Sequence, residues 1–369
     1  MMYINNVDWR NLTFIFYCFL VVLAALSTTL SNKYIRFRNK KWNISIIILS
    51  IILIFIRVFN TTGRDISDIG GYRYNFISAT SLHNFMDQGL ELGFKLLTVA
   101  IRQITADFNF YLVVVGVIYI FPIIYMFNKY KSKLDLFSSV LLYFTVFLFS
   151  SFSPIRQCLA ASIGLLAFDK MIEKKTFQSF LFIIIAILFH KSAIILFIPY
   201  LCVFLKILDR KLIILILISL FMALVFMRNN IFIFFSENSR YINYDVSENG
   251  FGLEQIVYYV PIIALVLYCR KYIGSYYVKL NYSYVFSAFC FGMLGYIITI
   301  FGRVYLTYLP LVFIIGGNIK VLKRKKPQYK LLINLIVILY CCMRFWLYIS
   351  RYYSLEDLMP YTNMLGWLI

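Results

Sequence analysis

The sequence predicts an all-α fold, that of a polytopic integral membrane protein with about twelve transmembrane helices. Hydrophobic residues make up 62% of its 369 residues and charged residues only 14%, whereas a soluble domain is about half apolar and a quarter charged. The apolar residues form runs, such as 12–30 and 331–349, that are long enough to cross a hydrocarbon core of ~30 Å as helices. Between these runs lie short basic clusters of the kind found in cytoplasmic loops.

The basic clusters determine the predicted order of the crossings. We assign to the cytoplasm the clusters at 33–41, 129–133, 170–175, 206–211, 270–279 and 320–330. Neighbouring clusters must be separated by an even number of crossings, so three long apolar stretches are expected to turn back at the outer face. These turns are predicted at residues 153–154, 190–191 and 302–303. The predicted spans are 12–30, 42–59, 108–127, 134–152, 155–169, 177–189, 191–205, 212–227, 255–269, 285–301, 304–319 and 331–349. Both termini are then predicted to be external.

Two long outer segments, 60–107 and 228–254, interrupt the predicted single transmembrane domain of residues 1–369. In the first segment, apolar residues recur at helical spacing over residues 90–104. The opposite side of this predicted helix carries Glu91, Lys95, Thr98 and Arg102. We therefore expect an amphipathic helix that lies in the membrane interface.

Cationic side chains at membrane depth are costly and therefore point to function. In the predicted topology they gather at the outer face, and they are Arg57, Arg156, Lys191, Arg240 and Arg303. Guanidinium groups match phosphate oxygens in a bidentate manner, so a lipid-linked pyrophosphate is the expected ligand. The alternative is that each side chain reaches out to lipid headgroups. Arg156 stands out because it follows Pro154 in the first turn of a helix, where free amides and the helix dipole favour an anion.

Other polar residues at the outer face are candidates for proton transfer. His190 is either a proton-transfer group, a donor to phosphate or a hydrogen-bonded interfacial histidine. Asp65 and Asp68 are either a general base or part of a solvated turn rich in Asp and Gly. The two histidines are far apart and no cluster has the spacing of metal ligands, so neither metal nor cofactor is predicted. The net charge of +20 is spread over many loops, which argues against a nucleic-acid partner.

Two short motifs carry a family resemblance. Ser153-Pro-Ile-Arg-Gln-Cys-Leu-Ala160 looks like an Arg-Gln-x-x-Ala helix start, and Phe189-His-Lys-Ser-Ala193 looks like a His-x-Ser turn. Supporting matches are Arg57 with Gly63 and Asp65, Glu91-Leu-Gly-Phe94, Arg303 with Tyr305 and Tyr308, and Pro360-Tyr361. In these motifs and their order, the sequence resembles the EpsG family of polysaccharide polymerases, the Wzy-like proteins of O-antigen and exopolysaccharide clusters. One departure is that Asp65 is followed by Ile66 where the family usually has tyrosine, whereas Asp68 has Tyr72 four residues on.

The resemblance implies a metal-independent glycosyl transfer at the outer face of the bacterial plasma membrane. An undecaprenyl-pyrophosphate-linked oligosaccharide would be the substrate, and a hydroxyl of the next repeat unit would displace the lipid pyrophosphate. Residues expected to be catalytic are Arg156, His190, Asp65 and Asp68. Residues expected to bind substrate are Arg57, Gln157, Lys191, Arg240, Arg303, Tyr72 and Tyr305. Membrane lipids and a chain-length regulator are the further partners expected.

Two alternative functions fit the same composition. A flippase or transporter of the lipid-linked glycan would also collect arginines along its path, but it is expected to carry cations through the midplane and to show an internal repeat. A membrane O-acyltransferase would need a histidine base and an acyl-donor route from the cytoplasm, and neither His83 nor His190 is placed to meet one.

Overall fold

The computed structural model describes residues 9–37, 40–61, 68–81, 89–204, 253–297, 299–352 and 361, with isolated helical positions at 218–219, 222 and 226. The predicted all-α fold is confirmed. The α-helices that we label are α1 (Trp9–Ser27), α2 (Ile44–Leu53), α3 (Asp68–Ser78), α4 (Leu92–Ile104), α5 (Phe108–Tyr130), α6 (Leu136–Leu142), α7 (Ile155–Ile172), α8 (Thr176–Phe189), α9 (Phe197–Phe204), α10 (Leu253–Cys269), α11 (Ser275–Ile297), α12 (Leu311–Lys325) and α13 (Lys330–Tyr352).

Shorter helical turns extend or interrupt these helices. Turns of π-helix follow α2 at Ile54–Val58 and α6 at Tyr143–Leu148. Segments of 3₁₀-helix are Thr28–Leu30, Phe149–Ser151, Lys191–Leu196, Arg270–Tyr272, Thr299–Tyr308 and Pro327–Tyr329. The sequence did not predict the antiparallel hairpin of β1 (Tyr34–Phe37) and β2 (Lys40–Asn43), which lies in the basic loop after α1 and pairs Tyr34 with Asn43.

The apolar helices identify a membrane protein. Among the described residues, three helical stretches are long and apolar enough to cross a membrane by themselves: Leu12–Leu30, Phe108–Tyr130 and Pro327–Ile349. Four shorter apolar stretches are Ile44–Val58, Leu136–Ser151, Thr176–Phe189 and Lys191–Phe204. Most of the predicted span 212–227 and almost all of the predicted outer segment 228–254 lie outside the described residues.

The helices break at two of the three positions where turns were predicted. α7 begins at Ile155, directly after Pro154. α8 ends at Phe189, and His190 has an extended backbone with φ −158° and ψ 126°. The third turn is different, because α11 runs to Ile297 and the predicted turn residues 302–303 lie within the 3₁₀-helix Thr299–Tyr308. A tight 3₁₀ segment replaces a simple turn there, and α12 begins only after Pro310.

Helix α7 lies at the centre of the packing. It contacts α5, α8 and the 3₁₀-helix Thr299–Tyr308, and nearly all of its residues are buried. Small residues let neighbours approach closely, as at Gly164, where an added Cβ would come within 2.6 Å of Leu196 Cδ1. Ser162 Oγ donates to the backbone carbonyl of Tyr119 at 2.6 Å. This packing holds both ends of α7 in place, and the end at Pro154 carries the candidate site.

The helix predicted in the first outer segment exists as α4. The surroundings of its polar side differ from those expected of a helix in the membrane interface. Thr98 is fully buried and Lys95 is 6% exposed, whereas the apolar side chains of Leu92, Leu96 and Ile104 are exposed. Part of the polar side therefore packs against the protein, which provides polar partners for it. Thr98 Oγ1, for example, lies 3.4 Å from the Tyr111 hydroxyl.

Candidate active site

The guanidinium of Arg156 is the centre of the candidate site. Arg156 Nη1 donates to Glu91 Oε2 at 2.6 Å, and the two side chains are 26% and 9% exposed. Arg156 Cζ lies 5.9 Å from the ring centroids of both Tyr72 and Phe94, so the cation is held between aromatic rings. The Nε atom of Arg156 is buried without a hydrogen-bond partner. Because buried donors are normally satisfied, this atom indicates spare capacity for a ligand.

Glu91 connects Arg156 to the turn at His190. It has an extended backbone immediately before α4, and its Oε1 accepts from the backbone N–H of Lys191 at 3.3 Å. Burial alone would raise the pKa of Glu91, but the charge of the Arg156 guanidinium and the nearby imidazole of His190 lower it below the usual range. Glu91 is therefore an ionised carboxylate at neutral pH.

Gly93 brings the start of α4 close to the end of α8. A Cβ at this position would lie 2.9 Å from the backbone oxygen of Leu188, so only glycine permits the approach. Glu91 was predicted to lie on the polar side of this helix and in a family motif, but not to be a site residue. The spacing of Glu91 and Gly93 was the available signal, because the glycine fixes the backbone that presents the carboxylate.

His190 is held in one orientation by its own turn. Its Nδ1 accepts from the backbone N–H of Ser192 at 3.2 Å and lies 2.7 Å from Ser192 Oγ. A ring nitrogen that accepts from an N–H group carries no proton, so the neutral imidazole has its hydrogen on Nε2. In this geometry His190 can donate a hydrogen bond from Nε2 but cannot accept a proton there.

Arg57 contacts the segment that precedes α7. It belongs to the π-turn Ile54–Val58, its Nε donates to Ser151 Oγ at 3.1 Å, and its Cζ lies 5.3 Å from the centroid of the Tyr119 ring. The residue is 3% exposed and its Nη2 is buried without a hydrogen-bond partner. Ser151 also accepts a hydrogen bond from Cys158 Sγ through its backbone oxygen, at 3.5 Å. These two hydrogen bonds connect Arg57, through Ser151, to the first turns of α7.

Tyr72 and Asp68 lie on α3, which covers the site. Tyr72 is buried and hydrogen-bonds Arg156, and burial raises the pKa of its phenol, so Tyr72 is neutral at physiological pH. Asp68 is the exposed first residue of α3 and interacts electrostatically with Tyr72. Asp68 and Tyr72, which the sequence paired by spacing, are thus one helical turn apart at the site.

The remaining expected residues are distributed around this centre or lie outside the described residues. Gln157 is buried in α7, the side chain of Lys191 is exposed, and Tyr305 packs against the Phe147 ring at 6.4 Å between centroids. Arg303 belongs to the 3₁₀-helix Thr299–Tyr308, which contacts α7 and the segment Lys191–Leu196. Asp65, Arg240 and His83 are outside the described residues. Within the described part of the chain, no group of His, Cys, Asp and Glu could hold a metal ion.

The arrangement is suited to binding a phosphate. A guanidinium, a backbone N–H and an imidazole N–H are all donors to anionic oxygens, and two aromatic rings exclude water from one side. Neither a curated protein nor a solved structure matches the chain. The sequence model of the EpsG family matches residues 43–363, a range that includes every residue of the site described above. That family is associated with polysaccharide polymerisation. The chain therefore belongs to the EpsG family and is a membrane protein of polysaccharide biosynthesis.

Proposed function

We propose that the chain is a polymerase that joins polyprenyl-pyrophosphate-linked oligosaccharide repeat units into O-antigen, capsule or exopolysaccharide. The observation that carries the proposal is Arg156, a partly buried guanidinium that Glu91 links to the turn at His190 and that retains an unsatisfied Nε. A cation with free donor capacity at a helix start is suited to stabilising negative charge on a leaving pyrophosphate.

The proposed topology has about twelve spans, external termini and a site that faces the periplasm or cell exterior of the bacterial plasma membrane. It is supported by the distribution of charge along α5 and α7. Their ends at Lys129 and Lys170 belong to basic clusters that we assign to the cytoplasm, whereas Arg156 and Asp107 lie at the opposite ends. Several spans are short or broken by π and 3₁₀ turns, which protein-buried helices tolerate.

In the proposed reaction, Arg156 and Arg57 bind the donor phosphates, and His190 donates from Nε2 to a phosphate oxygen. The bond between the anomeric carbon and the pyrophosphate oxygen breaks, and the pyrophosphate leaves with the electron pair. The hydroxyl of the next repeat unit forms the new glycosidic bond and gives its proton to a carboxylate of the first outer segment, Asp65 or Asp68. Gln157, Lys191, Arg240, Arg303, Tyr72 and Tyr305 are proposed to contact the glycan or the lipid.

The tautomer of His190 bears on the acyltransferase alternative. An acyltransferase histidine must accept a proton from the attacking hydroxyl, whereas the turn at His190 uses Nδ1 as an acceptor and leaves the hydrogen on Nε2. This geometry favours a donor to phosphate over a base. The flippase alternative predicts a path of cations through the membrane, whereas Arg57 and Arg156 of the candidate site lie at the ends of helical segments.

The test is deletion of the gene followed by electrophoresis of the surface glycan. A polymerase mutant is expected to retain a single capped repeat unit in place of long chains, because flipping and capping continue without polymerisation. Complete loss of surface glycan would instead identify a flippase. An unchanged ladder with altered acylation would identify an acyltransferase.

A further inference from the structure

Glu91 has no part in the proposed reaction, yet its carboxylate lies at the centre of the cationic site. One of its oxygens accepts from Arg156 Nη1 at 2.6 Å, and the other accepts from the backbone N–H of Lys191 at 3.3 Å. His190 interacts with the same carboxylate electrostatically. With 9% of its side chain exposed, Glu91 is an internal anion held by two separate segments, the start of α7 and the turn at His190 and Lys191.

The groups that hold Glu91 are those that a phosphate would use. Carboxylate and phosphate oxygens accept hydrogen bonds from guanidinium and backbone N–H groups with the same geometry. A phosphate at Arg156 Nη1 would lie against the Glu91 carboxylate that already accepts from that atom, and two anions in contact at a partly buried donor repel each other. Glu91 and a bound phosphate should therefore exclude each other at Arg156.

We propose that Glu91 is a positioning residue whose carboxylate occupies the anion position beside Arg156 in the empty site, and that a phosphate of the donor replaces it there. This inference rests on the proposed function, since it takes the lipid-linked pyrophosphate as the incoming anion. In the empty site Glu91 neutralises the Arg156 guanidinium and orients it toward the turn at His190. A bound phosphate neutralises the charge of Arg156 in the same way.

The exchange requires only a side-chain rotation. The backbone at Glu91 is extended and precedes α4, so the side chain can turn toward the outer surface without unwinding the helix. The close contact between Gly93 and the backbone of Leu188 keeps α4 in place while this happens. The free energy of displacing Glu91 then lowers the apparent affinity for the donor.

The test measures binding of farnesyl pyrophosphate, a short prenyl pyrophosphate, to the full chain in nanodiscs of zwitterionic phospholipid, by calorimetry. Glu91→Gln keeps the shape and an oxygen acceptor for the Lys191 N–H but removes the charge. We expect it to bind about tenfold more tightly than the wild type, because no anion competes for Arg156. A residue that only supported the fold would give weaker binding.

The matched control is Asp107→Asn, which removes an exposed carboxylate at the same face. Asp107 caps α5 by accepting from the Asn109 N–H at 2.9 Å, and asparagine caps equally well. Its affinity is expected to stay at the wild-type value. An equal gain in this control would show a general charge effect and overturn the inference.

The remaining outcomes separate the inference from the proposed function. Wild-type binding with no gain in Glu91→Gln would overturn the displacement and leave the proposed donor standing. Absence of binding by both proteins would overturn the donor class as well. Equal competition by a short-chain phosphatidic acid would assign the position to a phospholipid headgroup and contradict the donor assignment. If Glu91→Gln does not fold, Glu91→Asp keeps the charge and withdraws it from Arg156, and a loss of affinity in that variant would contradict displacement.

Discussion

The two ends of α7 carry charged clusters that differ in how fully their hydrogen bonds are satisfied. At the end near Ile172, the fully buried Asp169 accepts from Lys129 Nζ and from the Tyr130 hydroxyl, each at 2.7 Å, and pairs with Lys170 at 3.1 Å. At the other end, Arg156 retains a buried Nε with no hydrogen-bond partner. A saturated cluster stabilises the fold, whereas an unsaturated one is available to a ligand. Variants at one end should therefore alter stability, and variants at the other should alter activity.

The largest effect is expected for Arg156→Ala. Removal of a bidentate contact to a charged group costs about 2 to 5 kcal/mol when the pair is desolvated. The rate of polymerisation should therefore fall by about tenfold or more. Arg156→Lys keeps the charge but loses the planar fork and should be intermediate or nearly inactive. Glycan ladders at matched membrane abundance measure both. Normal long-chain glycan in Arg156→Ala would contradict the role of this end of α7.

A matched pair of His190 variants should distinguish the structural role of Nδ1 from the role of Nε2 in the reaction. His190→Asn offers an oxygen to the Ser192 N–H but has no group at the Nε2 position, so it should keep its stability and lose activity about tenfold. His190→Gln places an amide N–H near the Nε2 position and loses the cap, so it should keep more activity and melt earlier. The measurements are glycan ladders and thermal unfolding in nanodiscs. The reverse order of activities would show that Nδ1, and not Nε2, serves the reaction.

Asp169→Asn should act on stability alone. Removal of the buried negative charge leaves Lys129 and Lys170 with Glu173 as their remaining carboxylate partner, at a cost on the order of 2 kcal/mol because both lysines are partly exposed. We expect a lower melting temperature and a normal glycan ladder once protein amounts are matched. Shortened glycan at full stability would contradict the inference that this end of α7 affects stability and not activity.

The smallest effect is expected for Glu173, near the same end of α7. Hydrogen bonds from Lys129 and Lys175 lower the pKa of Glu173 to about 2, compared with 4.5 for an isolated glutamate. Because the folded pKa is the lower one, the stabilisation is present above pH 4.5 and is lost as the pH falls toward 2. Glu173→Gln should therefore reduce the difference in melting temperature across this range. Added salt should weaken the effect, because the side chains of Glu173, Lys129 and Lys175 are partly exposed. If the wild type and Glu173→Gln show the same dependence on pH, Glu173 does not maintain these ion pairs.

The sequence predicted the features that depend on local rules. Pro154 marks a helix start because proline suits the first positions of a helix. The polar residues His190 and Lys191 mark a turn between two apolar runs. The 3₁₀-helix Thr299–Tyr308 was not predicted, because apolar spacing does not distinguish three residues per turn from 3.6 over ten residues.

The contacts of Glu91 depend instead on tertiary packing. Helical spacing correctly identified a helix over residues 90–104 but could not say which side meets the protein. The partners of Glu91 are Arg156 and Lys191, which are distant along the chain and meet it only after α4, α7 and α8 have packed. Lys95 is buried for the same reason: burial of a polar side chain is decided by the partners that other helices bring.

The π-turn at Ile54–Val58 lets the chain lose one residue near the site without changing the orientation of the segments around it. A π-turn holds one residue more than the α-helical turn it replaces. Deleting a single residue there, such as Phe55, would restore regular α-helix and leave the segments that follow in nearly the same orientation relative to α2. The same deletion in a regular α-helix would rotate everything that follows by about 100°. Arg57 would therefore stay near Ser151 and Tyr119 after a loss of one codon at this turn.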